Sequence, residues 1–203
     1  MKLIFATKNS GKTRELSKAL EKTEFSVESL INQKIEAAPE TGSSFLENAL
    51  IKCKSVSEIT GRPTIADDSG LVVPALNGRP GIYSARWAGD DKDFSTAMAK
   101  VNAALCELDK KLTIRVSRSA SFFCALALAW PDNKTEIFEG SINGTLCWPP
   151  RGENGFGYDP IFIPTGYDET FGEFDQKLKH SISHRAKAFT KFLSYVQNEH
   201  DGQ

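Results

Sequence analysis

The stretch Leu3-Ile4-Phe5-Ala6-Thr7-Lys8-Asn9-Ser10-Gly11-Lys12 decides the class of fold. Leu3–Ala6 is short, apolar and uninterrupted, as a buried strand requires. A polar loop follows. Thr13–Lys22 then puts Leu16, Ala19 and Leu20 on one helical face. A strand, a glycine-containing loop and a helix in that order leave backbone N–H groups at a helix N-terminus. Those orphan donors and the helix dipole attract anions. Lys8 and Lys12 add positive charge, and Gly11 permits close backbone approach. The stretch reads equally as a solvated loop ending in a helix cap. Ala6 to Thr13 nearly spells the G-x-x-x-x-G-K-[ST] phosphate loop, but Ala6 replaces the first glycine and belongs to the strand, so the match is partial.

Working outward, a second strand is expected around Phe25–Leu30. Pro39-Glu40-Thr41-Gly42 is a turn signal. Ser44–Ile59 is a strong helix with Phe45, Ala49, Leu50, Cys53 and Val56 on one face. Ser44 with Glu47 makes a capping box, and Gly61 and Pro63 end the helix. Thr64-Ile65-Ala66 reads as a strand that should end at Asp67-Asp68-Ser69-Gly70, with Leu71–Val73 extended beyond. Phe94, Ala97, Met98, Val101 and Leu105 mark a third helix. Ile114–Trp130 is one long strand or two, Pro131-Asp132-Asn133-Lys134 a hairpin turn, and Thr135–Ile142 the returning strand. Pro149–Pro164 is dense in Gly and Pro. A final helix is expected over Ile182–Gln197, with Ala188, Phe189, Phe192 and Val196 inward. The alternation indicates an α/β fold, a mixed sheet flanked by helices, as a single domain over residues 1–203 with room for two lobes and a central cleft.

The chain has 203 residues and a formal net charge of −1, so bulk charge draws it neither to nucleic acid nor to a membrane surface. No apolar run approaches the roughly 20 residues of a membrane span. Cys53, Cys106, Cys124 and Cys147 form no C-x-x-C pair and read as buried, reduced thiols. A cytoplasmic protein is expected.

Three further groups carry chemistry. Adjacent strand residues point to opposite faces, so Asp67 and Asp68 are not expected to chelate one ion together: one faces a ligand while the other supports it. Magnesium is usually held by one or two carboxylates with substrate phosphates and waters, and Glu40, before a Gly turn, is the second candidate. The alternative is a plain Asp-Asp-Ser-Gly turn. Gly155-Phe156-Gly157-Tyr158-Asp159-Pro160 offers aromatic faces for a base and glycines for backbone approach, or else a packed aromatic turn. Ser183-His184-Arg185 opens the last helix, with Lys179 and His180 before it. His and Arg donate well to carbonyl or phosphate oxygens there, although such a pair more often serves the surface or a cap.

The order of these motifs along the chain resembles the inosine triphosphate pyrophosphatase family. The resemblance rests on Phe5–Lys12, Glu40-Thr41-Gly42 with Phe45-Leu46-Glu47-Asn48-Ala49, Ala66–Leu71, Pro80–Arg86, Gly155–Pro160 and Ser183–Arg185, and it covers Leu3 to about Leu193. It implies an elongated two-lobed fold with a deep cleft, a homodimer, and magnesium-dependent hydrolysis of ITP, dITP and XTP to the monophosphate and pyrophosphate. By matching positions, Thr7, Lys8, Asn9, Ser10, Gly11 and Lys12 would bind the triphosphate, and Glu40 and Asp68 the metal. Asp68 would accept the proton of the attacking water, and Ser69 would touch the substrate. Phe156, Gly157, Tyr158, Asp159, Lys179, His184 and Arg185 would hold the base and its neighbours. Lys52 matches another substrate-contacting lysine. Cys53 and His180 depart from the family's usual residues. Donors such as Lys179 or Arg185 would favour a 6-oxo group over the amino group of adenine, which would leave them unpaired.

Overall fold

The structure, a computed structural model, describes residues 2–201 except Lys22 and Asn32, and no side chain beyond residue 198. Six strands pair in the order β2-β1-β3-β4-β5-β6. They are β1 (Lys2–Phe5), β2 (Ser26–Ser29), β3 (Thr64–Val72), β4 (Ser119–Ala129), β5 (Thr135–Leu146) and β6 (Phe162–Pro164). The helices are α1 (Ser10–Leu20), α2 (Phe45–Thr60), α3 (Phe94–Leu112), α4 (Gln176–Ile182) and α5 (His184–Asp201). β1 runs parallel to β2 and to β3, whereas β6 is antiparallel to β5. The sheet is therefore mixed, as the alternation of patterns implies.

The chain divides into two compact units. The first comprises Met1–Asp68, Cys124–Gly140 and His184–Gln203. Its core joins Leu3, Phe5 and Ile65 of the parallel strands to Leu16 and Leu20 of α1, Leu126 and Leu128 of β4, and Ala188, Phe189 and Phe192 of α5. Fully burying side chains of this size contributes about 1.5–3 kcal/mol each. The inward residues expected of α5 are all buried. Its start lies close against β5: a Cβ on Gly140 would overlap the His184 carbonyl oxygen and lie 2.7 Å from Ala188 N. Only a glycine admits the helix there.

The second unit comprises Ser69–Phe123 and Ser141–Ser183. Its core gathers Leu71 and Val73, the α3 face of Ala97, Met98, Val101 and Leu105, and an aromatic group of Phe122, Phe162, Phe171 and Phe174. Phe122 and Phe162 approach to 4.5 Å between ring centroids. Asp93 caps α3 by accepting from Ser95 N at 3.0 Å.

Several expected boundaries change. Helix α1 starts three residues earlier, because the Asn9 side chain accepts from Lys12 N and caps it at Ser10; the expected end, Lys22, lies outside the described residues. Asp67-Asp68-Ser69-Gly70 is not a turn: β3 runs through it to Val72. The expected capping box forms and extends to Ser43, since the Glu47 carboxylate meets the backbone N–H groups of both Ser43 and Ser44. Ser44 Oγ accepts from Glu47 N, while the Glu47 carboxylate takes Ser43 N at 2.6 Å. Residues 114–118 are not strand, and β4 begins at Ser119. The final helix expected over Ile182–Gln197 is α5, His184–Asp201, and a short helix that was not expected, α4, precedes it, with Ser183 between them extended at φ −65° and ψ 161°.

Candidate active site

The first unit builds a charged cluster where the parallel pairing of β1 with β3 ends and β3 runs on. β1 ends at Phe5, paired with Ile65 of β3. Open sheets place ligand sites at such strand ends. Ala6 N donates to Ile65 O at 2.8 Å, so Ala6 remains tied to the sheet and the chain does not wrap a phosphate as a kinase-type loop would. Thr7, Lys8 and Asn9 form the short loop, and Ser10 and Gly11 open α1. Lys8 is half exposed and pairs with Glu36 at 2.8 Å. Lys12 turns inward and meets Asp67 Oδ2 at 2.8 Å.

Asp67 and Asp68 take different partners, as alternation along a strand demands. Asp67 is fully buried and also faces Arg185 Nε at 3.5 Å. Burial pushes its carboxyl up, but Lys12, Arg185 and Lys52 outweigh that and hold it down at about 2. Asp68 accepts from Asn48 Nδ2 at 3.0 Å. Burial raises its carboxyl above the ordinary range. The charge of Glu40 pushes the same way, and Lys52, Lys12 and Asn48 offset this only in part. Lys52 reaches Glu40 Oε1 at 2.5 Å and the Asp67 carbonyl at 2.8 Å. Burial disfavours its charge, yet Asp67, Glu40 and Asp68 keep the ammonium above its usual pKa. His184 and Arg185 are buried at the start of α5, and Arg185 Nη1 meets Glu15 Oε2 at 3.2 Å.

The second unit holds a separate set. Asp159 Oδ2 accepts from Phe156 N at 2.7 Å and from Lys179 Nζ at 2.6 Å. Lys179 Nζ lies 4.6 Å from the Phe156 ring centroid, a cation–π distance. Gly155 has φ 79°, and a Cβ there would strike the Asp159 carboxylate. Tyr158 is buried, packs edge-on to Phe94 and donates to Ser84 O at 2.9 Å. Ser84 Oγ accepts from Leu71 N at 2.9 Å, fixing the end of β3. A cavity of about 450 Å³ elsewhere in this unit, lined by Val101, Cys106, Arg118 and Trp148 among others, shares no residue with the set.

A family model for Ham1 matches residues 3–195. The chain belongs to the Ham1 family. Among relatives of this Ham1 chain, the dITP/XTP pyrophosphatase of Rhodospirillum centenum is 47% identical over 95% of this chain and 93% of its own length. That of Brucella melitensis is 44% identical over 97% and 94%. The Ham1 protein of Coxiella burnetii superimposes with a TM-score of 0.87 at 38% identity, covering 98% of this chain and 99% of the other. The Staphylococcus aureus Ham1 protein gives 0.83 at 34%, over 98% and 100%.

Within this Ham1 chain, Thr7–Lys12, Glu40, Lys52, Asp68, His184 and Arg185 all fall in the first unit. Ser69, Phe156, Gly157, Tyr158, Asp159 and Lys179 fall in the second. His184 and Arg185 are therefore neither surface nor simple caps. Sequence reading missed Glu15, Asn48 and Ser84, and gave Asp67 only a supporting part. Asn48 stood within the Phe45–Ala49 motif without a role, and a further signal for it was a polar residue at an inward helical position, next to Ala49. Among the described residues, no three His, Cys, Asp or Glu side chains cluster as a metal site by themselves, and no helix is long and apolar enough to cross a membrane.

Proposed function

We propose that this chain hydrolyses the non-standard purine nucleoside triphosphates ITP, dITP and XTP to the monophosphate and pyrophosphate, and so cleanses the nucleotide pool. The observation that carries the reading is the first unit's charged cluster, with Asp68 and Glu40 beside Lys12, Lys52 and the start of α1. The relatives' names point the same way.

The donor set fits a hard divalent cation. Glu40 and Asp68 offer carboxylate oxygens; burial first and the charge of Glu40 second raise the Asp68 pKa, and a bound cation would offset both. Three cations, Lys12, Lys52 and Arg185, stand among four carboxylates, Glu15, Glu40, Asp67 and Asp68. That balance is negative, so a triphosphate needs a cation to accompany it. In this reading Glu40 and Asp68 hold magnesium, which when bound neutralises phosphate charge and favours water as nucleophile. Two carboxylates suffice because phosphates and waters complete the shell.

The chain's own groups do the rest. The N–H groups at the start of α1, with Thr7, Lys8, Asn9 and Lys12, bind phosphate oxygens, and Lys52 neutralises further charge. Asp68, with its raised pKa, takes the proton of the attacking water, or orients that water if the cation suppresses its basicity. Ser69 contacts the substrate beside it. Phe156 offers a ring face for the base, and the positive-φ Gly157 exposes backbone. Lys179, His184 and Arg185 donate to oxygens. Tyr158 and Asp159 act by holding this arrangement, since the Tyr158 hydroxyl donates to Ser84 O and the Asp159 carboxylate accepts from Lys179 Nζ and Phe156 N. We also assign the chain to the cytoplasm, as a homodimer.

The test is a hydrolysis panel of ITP, XTP, GTP and ATP with magnesium, followed by product identification. Pyrophosphate from ITP and XTP, with little from ATP, is the expected result. Release of orthophosphate, or equal turnover of UTP, would overturn the reading.

A further inference from the structure

None of the residues lining the 450 Å³ cavity of the second unit serves the function proposed above. Protein interiors hold few voids larger than a water molecule, whereas ligand cavities span roughly 300–1,000 Å³. This cavity is therefore of ligand size, beyond any ordinary packing gap. Val101 and Leu105 of α3, Leu146 of β5 and Ile161 give it a buried apolar floor.

Asp109, Arg115 and Arg118 line it as well. Arg118 is already engaged. Its Nη1 donates to Asp109 Oδ1 at 3.1 Å and to Val116 O at 2.9 Å, and its Nη2 donates to Asp109 Oδ2. Both oxygens of Asp109 are thus taken, and Oδ1 also accepts from Val116 N at 2.7 Å. The hydrogen bond from Arg118 is the main reason that the Asp109 carboxyl sits below its ordinary range, so it stays charged. Two arginines against one aspartate leave the lining with one positive charge in excess. That charge belongs to Arg115, which is exposed and acts on Asp109 through its charge. A guanidinium so placed suits a carboxylate, sulfonate or phosphate. Trp148, 47% exposed, adds an aromatic face to the same lining, and aromatic faces pack well on other rings.

We propose that this cavity is a ligand site of its own, which takes a planar aromatic molecule bearing one anionic group. The ring body lies between the apolar floor and Trp148, and the anion meets Arg115. A cationic ligand would face the excess positive charge and find both Asp109 oxygens occupied. A neutral one would gain nothing from Arg115. The site does not depend on the nucleotide reading.

The test is fluorescence titration of the full chain with anilinonaphthalene sulfonate, a planar anion, and with phenylnaphthylamine, which has the same rings and no sulfonate. Cys106 and Cys147 line the cavity, while Cys53 and Cys124 are buried outside that lining. Iodoacetamide labelling read by mass spectrometry therefore locates the probe. The sulfonate should bind one to one and slow the labelling of Cys106 and Cys147. The neutral probe should bind about tenfold more weakly, as should the sulfonate to Arg115→Ala, the usual effect of losing one charge-assisted contact. Thermal melts establish that the variant is folded, and the comparison of the two probes on wild type needs no variant. Equal affinity for both probes overturns the proposal. So does unchanged labelling of both cysteines at saturation, or full affinity in folded Arg115→Ala.

Discussion

Lys179 and Asp159 form an ion pair of 2.6 Å whose side chains are 6% and 3% exposed. Both charges are out of water, so each depends on the other. Asp159 also takes Phe156 N, and the ammonium lies over the Phe156 ring. One carboxylate thus organises the aromatic turn proposed to receive the base.

Asp159→Ala is expected to destabilise the protein by about 3–5 kcal/mol, the usual cost of leaving one member of a buried pair alone. Lys179→Met should cost less, because Asp159 keeps the Phe156 N–H and the apolar stem is retained. Urea denaturation measures both. A loss below about 1 kcal/mol for Asp159→Ala would show that the pair is solvated in solution.

Asp68 has the opposite character. Its carboxyl is raised by burial and by Glu40, so the folded state holds its charge reluctantly. Asp68→Asn should abolish pyrophosphate release while adding about 0.5–2 kcal/mol of stability, as relief of a strained functional position commonly does. Full hydrolysis by this variant removes Asp68 from the mechanism. A drop in stability would mean that the carboxylate is structural.

Much of this fold is legible locally, and the exceptions share a cause. Helix α2 has an inward face, a Ser44 cap and a Gly61 stop, all of which are local signals. The run Asp67-Asp68-Ser69-Gly70 reads as a strand end because Asp and Gly are depleted in strands. It continues because distant groups compensate: Lys12 and Arg185 neutralise Asp67, Asn48 holds Asp68, and Ser84 takes Leu71 N. None of these partners lies within a sequence window that periodicity can read. Glu15 is similarly hidden, because its partner is 170 residues away. The short helix α4 before Ser183 spans only seven residues, too few for periodicity to mark. The members of the proposed site stood in the sequence as an ordered set of motifs, whereas their pairing required the fold.

Acid should weaken the start of α3. Asp93 is held down at about 2 by hydrogen bonds from Ser95 and Thr96, against an ordinary value of 3.8. A folded-state pKa below the unfolded one gives stability that is present above about 4 and lost as pH falls through about 2. Wild type should therefore lose stability relative to Asp93→Asn across that window, and the two should run parallel above it. Urea midpoints between pH 2 and pH 6 provide the check, and parallel curves throughout would remove Asp93 as a titrating cap.

The last expectation concerns Gly70, two residues beyond Asp68 in the same strand. A Cβ there would overlap Ser84 Oγ and lie 2.5 Å from the Gly81 carbonyl oxygen. The first neighbour is a side chain and can be trimmed, but the second is backbone. Gly70→Ala should cost about 1–3 kcal/mol, the range for overpacking a filled site. Adding Ser84→Ala should not restore stability, because the Gly81 contact remains and Leu71 N loses its acceptor. If the double variant recovers wild-type stability, the constraint was the Ser84 hydroxyl alone, and the backbone of residue 81 moves more readily than the packing implies.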